Sequence, residues 1–224
     1  PRILVHYAKL QKLDGIDEIA NAYISGEADF HAAVAKMAGI ERSQAKTINL
    51  GLMYGMGKNK LMAELGLMKE AAEKLIAQYH AKAPFIKQLM QAVSRRADDS
   101  GRIRTLGGRV CHFDLWEPTT FGAGMPKPHV EALKEYGHGI KRAGTYKALN
   151  RLIQGSAADM TKLSIIALSE NGIVPHIQIH DELDVSVEHS EQAKQIVEIM
   201  ESAIKLEIPN KVDYECGNSW GSIK

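Results

Sequence analysis

The spacing of apolar residues changes between Gly101 and Phe113, and that change limits the fold more than any other feature of the sequence. Before it, apolar and alanine residues recur at helical intervals in Ile16 to Tyr23, His31 to Met37, Glu41 to Leu65, Lys69 to Tyr79 and Pro84 to Ala97. Gly26 and Asp29 separate the first two runs, and Pro84 suits a first helical turn, where a missing N–H costs nothing. Gly51, Gly55 and Gly57 weaken the second half of the run that ends before Gly66. From Gly101 on, Ile103, Thr105, Val110 and Phe113 flank Gly107-Gly108, a dipeptide suited to the positive φ of a hairpin turn. Residues Glu117 to Lys147, broken by Gly122, Gly124, Pro126, Pro128 and Gly137, predict a long loop with a short helix from His129 to Tyr136. Ala148 to Asn171 returns to helical spacing and stops at Asn171-Gly172. A period of two follows, Ile177 and Ile179 on one run and Leu183, Val185 and Val187 on the next, with Asp181-Glu182 at the bend between them. Glu191 to Leu206 predicts a last helix and Val212 to Cys216 a last strand. Helices first and hairpins later make an α+β fold, a mostly helical part joined to a small antiparallel sheet.

Composition removes several alternatives. Hydrophobic residues at 45% and charged residues at 25% of 224 suit a globular protein with a proper core, and no apolar run approaches the ~20 residues of a membrane-spanning helix. The 28 basic and 27 acidic residues nearly cancel, so a nucleic-acid surface has to come from local clustering. Cys111 and Cys216 stand alone, without metal-ligand spacing, and read as free thiols of a reducing compartment. The basic residues between Glu117 and Lys147 offer either a phosphate-binding loop or a solvated one.

One such cluster lies in the run from Glu41. Arg42, Lys46, Leu50 and Tyr54 are four apart and share a helical face. Two cations, then an apolar residue and an aromatic, can hold a polyphosphate at one end and a flat base at the other, although a solvated basic face with a buried end has the same pattern. With its flanking residues this segment resembles Arg-x-x-x-Lys-x-x-x-aromatic-Gly-x-x-Tyr-Gly, the fingers-helix signature of A-family DNA polymerases of the polymerase I and phage T7 type. The resemblance implies that Arg42 and Lys46 bind the phosphates of an incoming dNTP, that Lys46 protonates the leaving pyrophosphate, and that Tyr54 lies beside the templating pair. Leu50 departs from the aromatic residue usual there, next to the incoming sugar.

Other marks follow in family order. His180-Asp181-Glu182 resembles the family's His-Asp-Glu hairpin, which implies Asp181 as a metal ligand, Glu182 as an auxiliary carboxylate and His180 at the primer terminus. Phosphoryl transfer uses paired divalent ions held by hard oxygen ligands, so two Mg²⁺ are the implied cofactors. Asn150 and Gln154, one turn apart in Asn-x-x-x-Gln-Gly-Ser-Ala-Ala-Asp, resemble the family's minor-groove amides, with Tyr146 where many members carry Arg. Asp29-Phe30-His31 and Thr105-Leu106-Gly107-Gly108-Arg109 are weaker echoes, as is Asn218-Ser219-Trp220, and Arg2 matches the Arg that closes the family's first catalytic motif. The Asp of that motif is absent from this chain. The resemblance therefore implies residues 1–15 as the end of a palm motif, 16–100 as the fingers subdomain and 101–224 as the C-terminal part of the palm. Arg2, Arg109, Asn150, Gln154 and His180 become DNA contacts, primer-template DNA and dNTP the partners, and the cytoplasm of a bacterium or phage-infected host the location. An upstream polymerase segment, in cis or in trans, is expected to complete the site. A DNA-binding remnant without catalysis is the alternative.

Overall fold

The computed structural model describes residues 1–26, 29–53, 58–120 and 122–222. Seven helices come first: α1 Arg2–Leu10, α2 Ile16–Ile24, α3 Phe30–Ala38, α4 Arg42–Met53, α5 Lys58–Leu65, α6 Lys69–Lys82 and α7 Pro84–Ser100. Their ends follow the local chemistry. Asp29 caps α3 by accepting from the amides of His31 at 2.9 Å and Ala32 at 3.1 Å, and Gly39 closes it in the left-handed region. Pro84 opens α7 at its first position. The run expected from Glu41 to Leu65 becomes α4 and α5, and residues 54–57 between them lie outside the described ones.

The hairpin β1 Arg102–Arg104 with β2 Val110–His112 follows in antiparallel register, Ile103 opposite Cys111. Of the two turn glycines only Gly108 has positive φ. The segment expected to be a loop is instead a three-stranded antiparallel sheet, ordered β4 Lys127–Pro128, β3 Leu115–Pro118, β5 Ile140–Arg142, with α8 His129–Tyr136 against it. Strands of two to four residues are too short to display a period of two, so tertiary contacts define them. Trp116 holds this unit together, with the His129 ring 4.6 Å and the Arg142 guanidinium 4.7 Å from its centroid. Arg142 also fastens the unit to the helical part, donating from Nε to Asp98 O at 2.9 Å and from Nη1 to Phe113 O at 3.0 Å.

A short 3₁₀ turn, Thr145–Lys147, leads into α9 Ala148–Glu170, and then come β6 Ile177–Ile179, β7 Glu182–Asp184 and α10 Ser190–Ser202. Two expectations fail here. Helix α10 stops at Ser202, not Leu206, because the following residues turn back to the main core, where Ile208 is buried and the Glu207 amide donates to His6 Nδ1 at 3.0 Å. The strand expected at Val212 to Cys216 does not form, since the Val212 amide donates to Glu201 Oε1 rather than to a neighbouring strand.

One large core runs from Ile3 to Ile208, with α1, α7 and α9 meeting around Leu4, Val5, Leu89 and Leu149. Each such side chain contributes roughly 1.5–3 kcal/mol by leaving water. A second, smaller cluster of Leu168, Ile173 and Ile196 carries Leu183 and Val185 of the acidic hairpin. Helix α9, 23 residues and about 34 Å long, touches α1, α4 and α7 with one end and α10 with the other, so it joins the two cores. No helix among the described residues is long and apolar enough to cross a membrane.

Candidate functional site

The corner between α3 and α4 gathers cationic groups. Arg42 and Lys46 stand exposed on the outer face of α4, while Ala45, Ile48 and Asn49 point inward and are buried. Arg42 carries its own counter-ion: Asp29 Oδ2 accepts from Arg42 Nε at 2.6 Å and Nη2 at 2.5 Å. Partial burial pushes the Asp29 carboxyl up, but the Ala32 amide, the Arg42 guanidinium and the His31 amide outweigh it and hold the acid below its usual range. His31 lies close enough to feel both cations; burial, and then Arg42 and Lys46, lower its pKa against the pull of Asp29. Three groups able to face a phosphate therefore share one corner. Leu50 is half-buried against the main core, and Tyr54 lies outside the described residues.

A second set of motif residues locks together. The loop Thr105 to Arg109 docks on α9 through buried Asp159, whose side chain is 4% exposed. Asp159 Oδ1 pairs with Arg109 Nε, and its Oδ2 accepts from the Gly107 amide at 2.9 Å. Arg109 Nη2 donates to Gly155 O at 2.7 Å, and Ser156 Oγ accepts from the Leu106 amide at 3.2 Å. Contact is so close that a Cβ on Gly107 would sit 2.7 Å from Asp159 Cγ, and one on Gly155 would sit 2.7 Å from Thr105 Cγ2. Burial raises the Asp159 pKa, yet the Thr105 hydroxyl, the Gly107 amide and Arg109 together hold it below the usual carboxylate range. The Nε–H and one Nη2–H of Arg109 are thus engaged by the fold. Arg2 is engaged as well, donating from Nη1 to Pro209 O at 2.6 Å and lying over the Tyr23 ring at 4.7 Å.

On α9 itself, Asn150 is half-buried and Gln154 exposed, one turn apart. Tyr146 precedes them at the same four-residue interval, 58% exposed, with the Lys147 ammonium 5.3 Å from its ring.

The acidic hairpin is open. Ile179 pairs with Glu182, so His180 and Asp181 form a two-residue loop, and Glu182 is the first residue of β7. His180 has φ +54°, the conformation that the first loop position of a type II′ turn demands and glycine normally fills. Holding a histidine there costs about 1 kcal/mol. Gln178 Nε2 braces the bend by donating to His180 O at 3.1 Å. His180, Asp181 and Glu182 are all exposed, and no group of three His, Cys, Asp or Glu side chains converges on a metal position among the described residues. Two hard carboxylates at one bend suit Mg²⁺ in donor type and fall short of a two-ion site in number.

The structure thus brings Arg42 and Lys46 together with His31, and places Asp181 beside Glu182 on a separate core reached through α9. Sequence spacing had not singled out Asn49, Tyr79 or the latching role of Asp159. Asn49 carried a usable signal: a polar residue beside Ile48 on the inward face of a helix must find a partner.

The sequence matches the profile of DNA polymerase family A over residues 2–222. A DNA-directed DNA polymerase of Pseudomonas phage M6 is 35% identical over 263 aligned residues, covering 99% of this chain and 36% of the relative. DNA polymerase I of Lactococcus lactis subsp. lactis is 29% identical, covering 100% of this chain and 25% of that enzyme. Among solved structures, the POL domain of Pol1 from M. smegmatis, in complex with DNA primer-template and dNTP, superposes with a TM-score of 0.70 at 26% identity, over 93% of this chain and 36% of that one. The chain spans about a quarter to a third of the length of the curated relatives described here.

Proposed function

Because the chain belongs to DNA polymerase family A, we propose that it binds an incoming dNTP and primer-template DNA and supplies part of the centre that extends a primer 3′ end. The observation that carries this reading is the α3–α4 corner, where Arg42, Lys46 and His31 face one region from two elements. Arg42 grips the phosphates once it exchanges Asp29 for them, and Lys46 neutralises the bridging charge. The primer's 3′ hydroxyl loses its proton to solvent as its oxygen attacks the α-phosphorus, the bond from that phosphorus to the oxygen bridging it to the β-phosphorus breaks, and Lys46 gives a proton to the departing pyrophosphate. Leu50 and Tyr54 continue the same row toward the sugar and base. Asn150 and Gln154 contact minor-groove acceptors, which all four base pairs present, so they test pair shape and not sequence. Arg2 and Arg109 contact the duplex with whatever donors the fold leaves them.

Asp181 and Glu182 would hold Mg²⁺, with His180 at the primer terminus. When bound, the ions polarise the attacking hydroxyl and neutralise the leaving oxygens. Two carboxylates do not coordinate two ions alone, so a further polymerase segment, in cis or in trans, completes the ligand set. The enzyme works in the cytoplasm of a bacterium or of a phage-infected host. A DNA-binding remnant without catalysis is the second reading, favoured only by the small number of carboxylates on the hairpin.

Primer extension decides between them. The chain is combined with the preceding segment of a family A polymerase, through its first catalytic Asp, and Mg²⁺, primer-template and dNTPs are added. Extension that Asp181→Ala abolishes supports the enzyme. DNA binding without extension under every combination supports the remnant.

A further inference from the structure

Behind the cationic corner a chain of buried polar groups runs into the core. Tyr79, on α6, is fully buried, and its hydroxyl donates to Asn49 Oδ1 in a short hydrogen bond. Asn49, 1% exposed on the inner face of α4, meets His31 Nδ1 with its Nδ2 at 3.1 Å. Three helices thus contribute one residue each to a single row, α6 through α4 to α3.

Donor counting fixes the direction of the row. Burial pushes the Tyr79 hydroxyl well above its ordinary pKa, so it keeps its proton and must donate. Asn49 Oδ1 is its acceptor among the described residues. Turning the Asn49 amide over would aim an NH₂ at the hydroxyl and leave a buried O–H without an acceptor, at a cost of one unmade hydrogen bond. The amide therefore presents Nδ2–H₂ to His31, Nδ1 must accept, and a neutral ring carries its hydrogen on Nε2. Among the described residues no group is hydrogen-bonded to that Nε2.

We infer that Asn49 and Tyr79 are positioning residues that hold His31 as its Nε2–H tautomer, so that the ring offers a donor, not a lone pair, to a triphosphate. The inference rests on the triphosphate reading for its purpose, but the tautomer itself is a property of the free chain. Protonating His31 would set an Nδ1–H against the Asn49 NH₂, so the row also opposes the imidazolium. The charged side chains around the ring are Asp29, which favours the cation, and Arg42 and Lys46, which disfavour it.

The ring ¹⁵N shifts of His31 in the nucleotide-free chain test this directly, followed by titration with dGTP. Wild type is expected to show a protonated Nε2 and an unprotonated Nδ1 across neutral pH. Asn49→Asp keeps an acceptor for Tyr79 but turns a carboxylate toward Nδ1; it should move the proton to Nδ1 and weaken dGTP binding by about 10-fold, the loss of one charge-assisted hydrogen bond. Tyr79→Phe, a milder change that serves if Asn49→Asp does not fold, releases the amide and should give a mixed tautomer with a smaller loss of affinity. A wild-type ring with its proton on Nδ1, or one that neither variant alters, overturns the inference whatever dGTP does. The expected tautomers with no response to dGTP in any variant uphold the row and refute the triphosphate reading instead.

Discussion

The Thr105 to Arg109 loop docked on Asp159 and the bend at His180 to Glu182 both bring a carboxylate beside a basic residue, and the fold uses them in opposite ways. In the first, Asp159 is buried and every oxygen has a donor, so charge is consumed in fixing a loop to a helix. In the second, Asp181 and Glu182 stand in solvent on a small core of their own, and a strained histidine precedes them. A carboxylate whose donors are supplied by the chain belongs to the scaffold; one without them is available for a ligand. Stability and activity should therefore separate cleanly between the two places.

The largest effect is expected at the open bend. Asp181→Ala should lower primer extension by the completed enzyme by about 10³-fold or more, since several kcal/mol of transition-state charge stabilisation are lost. Its urea midpoint should hardly move, because exposed positions usually change stability by no more than about 0.5 kcal/mol. Asp159→Ala inverts the pattern: the Gly107 amide loses its acceptor and Arg109 its partner, at about 2–4 kcal/mol in the same denaturation. If Asp159→Ala left stability unchanged, or Asp181→Ala unfolded the chain, the contrast would be wrong.

Between these lies Lys46. It is exposed and makes no ion pair among the described residues, so Lys46→Ala should leave stability within about 0.5 kcal/mol while weakening dNTP binding by about 10- to 100-fold in a fluorescence titration. Acid offers another view of the latch. The native pKa values of Asp159 and Asp29 lie below those of the unfolded chain, so their stabilisation is complete above about pH 4 and is lost as the pH falls through the native values. The urea midpoint should decline steeply from about pH 4 downward, and Asp159→Asn should flatten that decline. His31 adds in the same direction: its lowered pKa means that the native state resists protonation, so stability is full above about pH 6.5 and falls as the medium becomes more acidic.

How much of this could be read from the sequence follows the same division. Helices α2, α3, α6, α7 and α9 came from apolar spacing and end signals, because each buries a continuous stripe and carries its own stop, such as Asn171-Gly172. The sheet around Trp116 could not be read, since its strands of two to four residues are too short to show a period and are fixed by His129 and Arg142, 13 and 26 residues along the chain, closing on the Trp116 ring. Likewise the spacing of Arg42, Lys46 and Leu50 placed them on one helical face, but nothing in it says that Tyr79, thirty residues along the chain from Asn49, reaches the back of that face. Local patterns show which residues face outward together. They do not show which are already engaged.

Arg2 is where that distinction is least settled by position and most easily settled by measurement. Its place in the chain makes it a candidate DNA contact, yet its guanidinium donates to Pro209 O and covers Tyr23, whose own pKa is raised by burial to about 12. If those contacts are its function, Arg2→Ala removes one hydrogen bond and one cation–π contact, worth about 1 kcal/mol together in a half-exposed setting. The salt dependence of DNA binding should then stay as it was. If Arg2 also meets a phosphate, the slope of log K against log salt should fall by about one unit for the same substitution, because one fewer counter-ion is released. An unchanged slope with a lowered urea midpoint would group Arg2 with Asp159 in the scaffold; a reduced slope at constant midpoint would group it with Lys46 and Asp181 among the residues left open to a ligand.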